Sequence, residues 1–198
     1  MREDVFFRLA GACGILTPVV AFSAIAISIA SSPWFDWGEN ALSDLGASGS
    51  AVAPVFNLGL ISAGLLAMVF AYGLSRYLED KHGRAGAYMV LASSISLVLI
   101  GVFPEDVEPI HFLVSAAFFV LAPLGLLALA ISRVLKPGKP RIIGSLMLAS
   151  ALASGAAWAL WVLTGRGTGI AVPEAISAAF ISAWIIALGS RMLRSAEI

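Results

Sequence analysis

Residues 54–78 read PVFNLGLISAGLLAMVFAYGLSRYL, and no charge interrupts them before Arg76. A helix rises about 1.5 Å per residue and the hydrocarbon core of a bilayer is about 30 Å thick, so roughly 20 such residues span it. Five more runs have the same character: Phe7–Ile29, Ala85–Phe103, Ile110–Val134, Ile142–Thr164 and Ile176–Leu193. Together the six consume most of the 198 residues, leaving no room for a separate soluble domain. The expected fold is therefore all-α, a single polytopic bundle of six transmembrane helices over residues 1–198. Membrane β-barrels instead show segments of about ten residues with alternating polarity, whereas these runs are continuous and rich in Ala, Leu and Gly.

Composition agrees. Apolar residues make up 60% of the chain, charged ones 12%, and the mean hydropathy is +0.96. Soluble domains average about 45–50% apolar and about 25% charged. The run Phe7–Ile29 exceeds the roughly 7–15 apolar residues of a signal-peptide core, so it is read as a retained first span. Single Cys13 lies inside it and excludes an intramolecular disulfide. Pro54 suits the first turn of its helix, where a missing N–H costs nothing. The small residues Gly59, Ser62, Ala63 and Gly64 after it favour close helix packing in lipid.

Charge fixes the expected orientation. Eleven of the twelve basic residues fall on one side of the six spans and only Arg166 on the other. The positive-inside bias then places both termini in the cytoplasm of a multi-pass cell-membrane protein. Seven of the twelve acids, including Asp36, Glu39, Asp44, Glu105, Asp106, Glu108 and Glu174, fall on the outer side.

The polar connection at 31–53 is the expected site region. Its centre reads WFDWGENALSDLG from Trp34 to Gly46. Trp34 and Trp37 suit an interfacial aromatic belt. Asn40, Ser43 and Asp44 are short polar side chains that also build turns. If this stretch re-enters the bundle, Ser43 and Asp44 meet His111 of the fourth span. Ser43 as nucleophile, His111 as base and Asp44 or Glu174 as orienting acid would form a hydrolytic set. No Gly-x-Ser-x-Gly elbow surrounds Ser43. A carboxylate–His proton relay is the competing chemistry, since ionisable groups at membrane depth tend to be functional. Asn40, Asn57, Glu105, Trp158 and Glu174 are the expected ligand-binding residues. No metal and no cofactor is expected, because a zinc site needs three or four good ligands and only one His lies on this side.

Two motifs carry a resemblance. Asn40-x-x-Ser43-Asp44-Leu45-Gly46 followed by Phe56-Asn57, and Gly101-x-Phe103-Pro104 followed by His111 and Phe118-Phe119, resemble those of an uncharacterised family of six-span prokaryotic membrane proteins, a domain of unknown function. The resemblance covers essentially the whole chain and implies a fold and a site region without an assigned activity. More distantly, Ser43-Asp44-x-Gly46 and Phe56-Asn57 are similar to the DRAM- and SFK-type eukaryotic membrane proteins, which are associated with autophagy and phospholipid distribution. That similarity implies a lipid-facing role for Ser43, Asp44 and Asn57. Trp37-x-x-Asn40-x-x-Ser43 is also similar to an element of the alkaline ceramidases. Those hold zinc with three His, a set this chain lacks on its outer side.

The functional expectation is an integral membrane protein with an outer polar pocket that binds or modifies membrane lipid. The alternative is a non-enzymatic small transporter, ion-binding or membrane assembly protein. The residues leave open whether a reaction is catalysed and whether the chain forms a homo-oligomer; no nucleic-acid partner is expected.

Overall fold

The computed structural model describes residues 2–136, 141–164 and 169–195. Lys139 and Arg166, used above to count charge, fall outside them. Among the described residues there are six long helices and no strand: α1 (Arg2–Ala30), α2 (Ala53–Tyr77), α3 (Lys81–Val102), α4 (Ile110–Leu135), α5 (Ile142–Thr164) and α6 (Ala171–Ser195). All six are long and apolar enough to cross a membrane, the pattern of a multi-pass membrane protein. A short 3-10 helix, Leu42–Gly46, interrupts the connection between α1 and α2.

Several helices begin before the apolar runs predict. Hydropathy reports the lipid-soluble part of a helix, whereas hydrogen bonding sets its ends. α3 starts at Lys81 because the Asp80 carboxylate caps it, accepting the Gly83 N–H at 2.8 Å and satisfying a donor that has no partner within the helix. The same carboxylate accepts the Ser132 hydroxyl of α4 at 2.8 Å and so ties the α3–α4 hairpin at its polar end. Burial pushes Asp80 upward, but these donors outweigh it and hold its carboxyl below the usual range. α6 starts at Ala171, which brings Glu174 into its first turn.

Neighbours in sequence are neighbours in space from α1 to α4, and α6 returns to pack on α1. α5 lies against α4 and α6 and buries little beyond Gly144, Met147, Ala151 and Ser154. One apolar core includes Phe70, Leu74, Leu126, Leu129, Met147 and Met192. A second forms at the end of the bundle that carries the 31–52 connection, from Leu42, Leu45, Val52, Phe56, Leu60, Ile100 and Ala171. We call this the acidic end.

The α1–α6 seam depends on a pair of glycines. A Cβ on Gly11 would lie 2.6 Å from the Gly189 carbonyl, and one on Gly189 would lie 2.6 Å from the Gly11 carbonyl. Close backbone approach of this kind replaces the hydrophobic drive that lipid removes. Gly189→Leu should therefore destabilise the bundle by about 1–3 kcal/mol, the range for overpacking. Thermal unfolding in detergent micelles measures it, with Gly155→Leu as the control. A Cβ on Gly155 meets nothing within 4 Å, so equal losses in the two variants would refute the seam.

Candidate functional site

The 31–52 connection folds back into the acidic end. Leu42, Ser43, Leu45 and Gly46 are buried there. Non-helical backbone at such depth must find partners for its polar groups, and neighbouring residues supply them. Asp44 accepts the Asn40 side-chain amide at 2.9 Å and the Ala41 N–H at 3.0 Å, closing the turn on itself. Asn40 Oδ1 accepts the Asp36 N–H at 3.0 Å, while its backbone carbonyl accepts the Ala171 N–H of α6. Asn57 of α2 donates its amide to the Gly46 carbonyl at 2.9 Å. Asp106 accepts the Ser48 N–H at 2.8 Å, and this bond keeps its carboxyl below the ordinary range. Glu174 accepts the Leu42 N–H at 2.6 Å.

This docking delivers Ser43 to a polar cluster. His111, in the first turn of α4, is 4% exposed. Its Nδ1 lies 2.7 Å from the Phe103 carbonyl. A carbonyl only accepts, so Nδ1 carries a hydrogen. Nε2 lies 2.8 Å from Glu105 Oε2, and that oxygen is buried with no partner at hydrogen-bond geometry, so the two groups form a close electrostatic contact rather than an aligned hydrogen bond. The His111 contact, helped by the Ser43 hydroxyl, holds Glu105 below its ordinary value of 4.5 although burial pushes the other way. Ser115, one turn further along α4, places its hydroxyl 3.2 Å from the same Nε2.

The carboxylate of Glu105 thus stands beside both the Ser43 hydroxyl and the imidazole. That order is hydroxyl–carboxylate–imidazole, whereas a hydrolytic triad places the imidazole in the middle. Glu174 is 5% exposed and within electrostatic range of Glu105, Asp44 and His111. No three His, Cys, Asp or Glu side chains among the described residues gather as a metal-binding set.

Two cavities meet at the cluster. A cleft of about 610 Å³ runs down between α4 and α5, with Glu105, Glu108, His111 and Glu174 at its head. Its walls include Phe119, Leu124, Leu152, Gly155, Trp158 and Trp161. A smaller cavity of about 90 Å³ lies deeper among α1, α2, α3, α4 and α6. Ser43, Ser115, Phe119 and Glu174 line both.

The predicted residues therefore fall into two groups. Ser43, Glu105, His111 and Glu174 come together, and Trp158 stands in the cleft wall with its indole N–H donated to Ser177 at 3.0 Å. Asn40, Asp44 and Asn57 spend their side chains on the docked loop. Asp44 turns to the loop backbone, although it is adjacent in sequence to Ser43. Sequence reasoning missed Ser115, Phe119 as a cleft residue, and Trp161. Ser115 carried a readable signal, because residues four apart share one helix face.

Two outcomes follow. A Cβ on Gly46 would lie 2.4 Å from Asn57 Oδ1 and 2.8 Å from the Phe56 ring, so Gly46→Ala should destabilise more than Asn57→Ala, which removes one hydrogen bond worth about 1 kcal/mol. In a double-mutant cycle read by thermal unfolding, Asn57→Ala should relieve part of the Gly46→Ala loss. Strict additivity of the two would show that they do not meet. The depressed Glu105 contributes stability that is fully present above the ordinary carboxylate range and is lost as pH falls through its lowered value. Melting temperatures of the wild type should fall with acidification more steeply than those of Glu105→Gln. Superimposable pH profiles would refute the linkage.

A family model described as "Protein of unknown function (DUF998)" matches residues 15–191. Neither the curated proteins nor the solved structures contain a match. The match covers α2 to α5 whole, most of α1 and α6, the docked connection and every member of the polar cluster, and on that extent the chain belongs to the DUF998 family.

Proposed function

We propose that this protein binds a membrane lipid or lipid-like amphiphile at its acidic end, with the polar head on the Ser43–Glu105–His111–Glu174 cluster and the chain in the α4–α5 cleft. The orientation assigned is outward, with both termini cytoplasmic in the cell membrane, because eleven of the twelve basic residues segregate to the opposite end. One observation carries the reading: buried polar groups stand at the head of a cleft whose remaining walls are almost wholly apolar. At about 610 Å³ the cleft is within the roughly 300–1,000 Å³ of ligand pockets. From His111 to Leu127 its α4 wall spans 17 residues, about 24 Å of helix. The similarity of Ser43-Asp44-x-Gly46 and Phe56-Asn57 to DRAM- and SFK-type proteins favours a lipid in the same place.

The geometry supports binding ahead of lipid modification. Ser43 stands beside a carboxylate held low, which is a weak base, and His111 Nε2 already faces Glu105 and the Ser115 hydroxyl. A second reading, a proton or cation site without lipid turnover, draws on Glu174, which lines both the cleft and the deeper cavity with Thr17, Ser93 and Ser94.

Native mass spectrometry of the purified protein tests the lipid reading. Gly155 lines the cleft and faces open space, so Gly155→Phe should fill the cleft and reduce copurified lipid severalfold while leaving the melting temperature near wild type. Unchanged lipid content in a variant that folds would count against the cleft as the binding site.

A further inference from the structure

We infer that the head of the bound amphiphile carries a positive nitrogen, a protonated amine or a quaternary ammonium, and no phosphate. The inference rests on the lipid-binding reading of the cleft and narrows it to one chemical class.

Charge complementarity is the first argument. Glu105, Glu108, His111 and Glu174 are the titratable groups among the described residues that line the cleft. His111 Nε2 faces Glu105 Oε2 at 2.8 Å. Among the described residues, neither Glu108 nor Glu174 stands within 4.0 Å of a Lys or Arg nitrogen. A phosphate or sulfate entering here would face acidic side chains, Glu108 and Glu105 foremost, without a described Lys or Arg to receive it. An ammonium would meet acceptors. Glu174 is the most buried of them and uses Oε2 on the Leu42 N–H, and its Oε1 has no described hydrogen-bond partner.

The second argument is independent of the acids. Below the carboxylates the cleft turns aromatic, with Phe119, Trp158 and Trp161 in its lining. Phe119 and Trp158 have ring centroids 4.9 Å apart at 54°, and Trp158 and Trp161 lie 6.2 Å apart at 79°. Rings in tilted and edge contact form a continuous wall, and the hydrogen bond from Trp158 to Ser177 fixes it. Aromatic faces attract cations, most strongly where water is displaced, and they combine with carboxylates in quaternary-ammonium sites. Phe119 lies two turns beyond His111 on α4, about 12 Å along the axis. Trp158 bonds Ser177, one turn from Glu174 on α6, and Trp161 lies nearly a turn closer to the acidic end of α5, so the wall rises from Phe119 toward the acidic side chains.

The test uses full-length protein in nanodiscs of neutral lipid, with protein-free discs as the partitioning control. Three probes of equal chain length are titrated: hexadecylamine, hexadecanol and hexadecyl sulfate. Native mass spectrometry reads occupancy, and brominated analogues report contact through quenching of tryptophan fluorescence. The amine should bind on the order of tenfold tighter than the alcohol, which corresponds to about 1.4 kcal/mol, and the sulfate weakest of all. Glu174→Gln should narrow the preference for amine over alcohol severalfold, read as the ratio of the two affinities within the same variant. Trp158→Phe with Trp161→Phe should lower the quenching and weaken binding of hexadecyltrimethylammonium more than that of hexadecanol. Where Glu174→Gln fails to fold, Glu108→Gln supplies the same comparison from an exposed position. Equal binding of amine and alcohol would overturn the cationic assignment and leave the lipid reading standing. Tighter binding of the sulfate would overturn it too, and saturable binding of none of the three would overturn both.

Discussion

A buried stretch of irregular backbone is the constraint on which this structure turns. Water satisfies such backbone in an ordinary loop. Residues 41–46 instead lie against the end of a membrane bundle, where an unpaired N–H or C=O costs several kcal/mol. Four polar side chains nearby are accordingly committed to backbone: Asp44 to Ala41, Asn57 to Gly46, Asp106 to Ser48, Glu174 to Leu42. These bonds come from α2, the α3–α4 connection and α6, so the loop is fixed from three directions. Leu42 and Leu45 then bury their side chains beneath it, and the apolar cluster they join locks the docking in place.

The same constraint explains why adjacent residues diverge in role. In a 3-10 turn successive side chains point about a third of a revolution apart. Ser43 faces Glu105 while Asp44 faces back toward Asn40 and Ala41. One side chain is available to a ligand and its neighbour holds the turn that presents it. Glu174 does both, since one oxygen supports Leu42 while the side chain lines two cavities. Removing it would disturb the loop and the cleft together, whereas Glu108 touches the cleft alone.

Much of the architecture was legible because hydropathy has a length scale. Runs of about 20 apolar residues are long enough to be unambiguous, and all six became helices. Their ends were less legible. Asp80 caps α3, which starts at Lys81, four residues ahead of the predicted Ala85, and α6 starts at Ala171, ahead of the apolar run from Ile176. The candidate site divides the same way. His111 and Ser43 could be picked out as scarce polar groups in an apolar chain. The insertion of Glu105 between them depends on how residues 103–110 fold back, with the Phe103 carbonyl receiving the His111 Nδ1 hydrogen. No periodicity encodes that return. Asn40 and Asn57 carry the chemistry of ligand-binding residues, and only the coordinates show the backbone groups to which they are assigned.

The position of the cleft follows from how α5 is held. Its contact with α6 is closed by polar bonds: Ser154 to Ser177 at 2.8 Å, Trp158 to Ser177 at 3.0 Å, and Trp184 to Ser150 at 3.0 Å. Interhelical bonds of this kind hold helices together where lipid supplies no hydrophobic drive. Toward α4 the contact has another basis. Met147 and Ala151 pack into the core with Leu126 and Leu129, but these lie in the half of α5 remote from the acidic end. Beyond Ala151 the α5 sequence turns to small residues, Gly155 among them, and Phe119 reaches across to Trp158. α5 packs on α4 as well as on α6, and the cleft opens between α4 and α5 from Ala151 toward the acidic end. That is where Ser43, Glu105, His111 and Glu174 are gathered, so the room for a hydrocarbon chain and the groups that could recognise its head arise from the same asymmetry in packing.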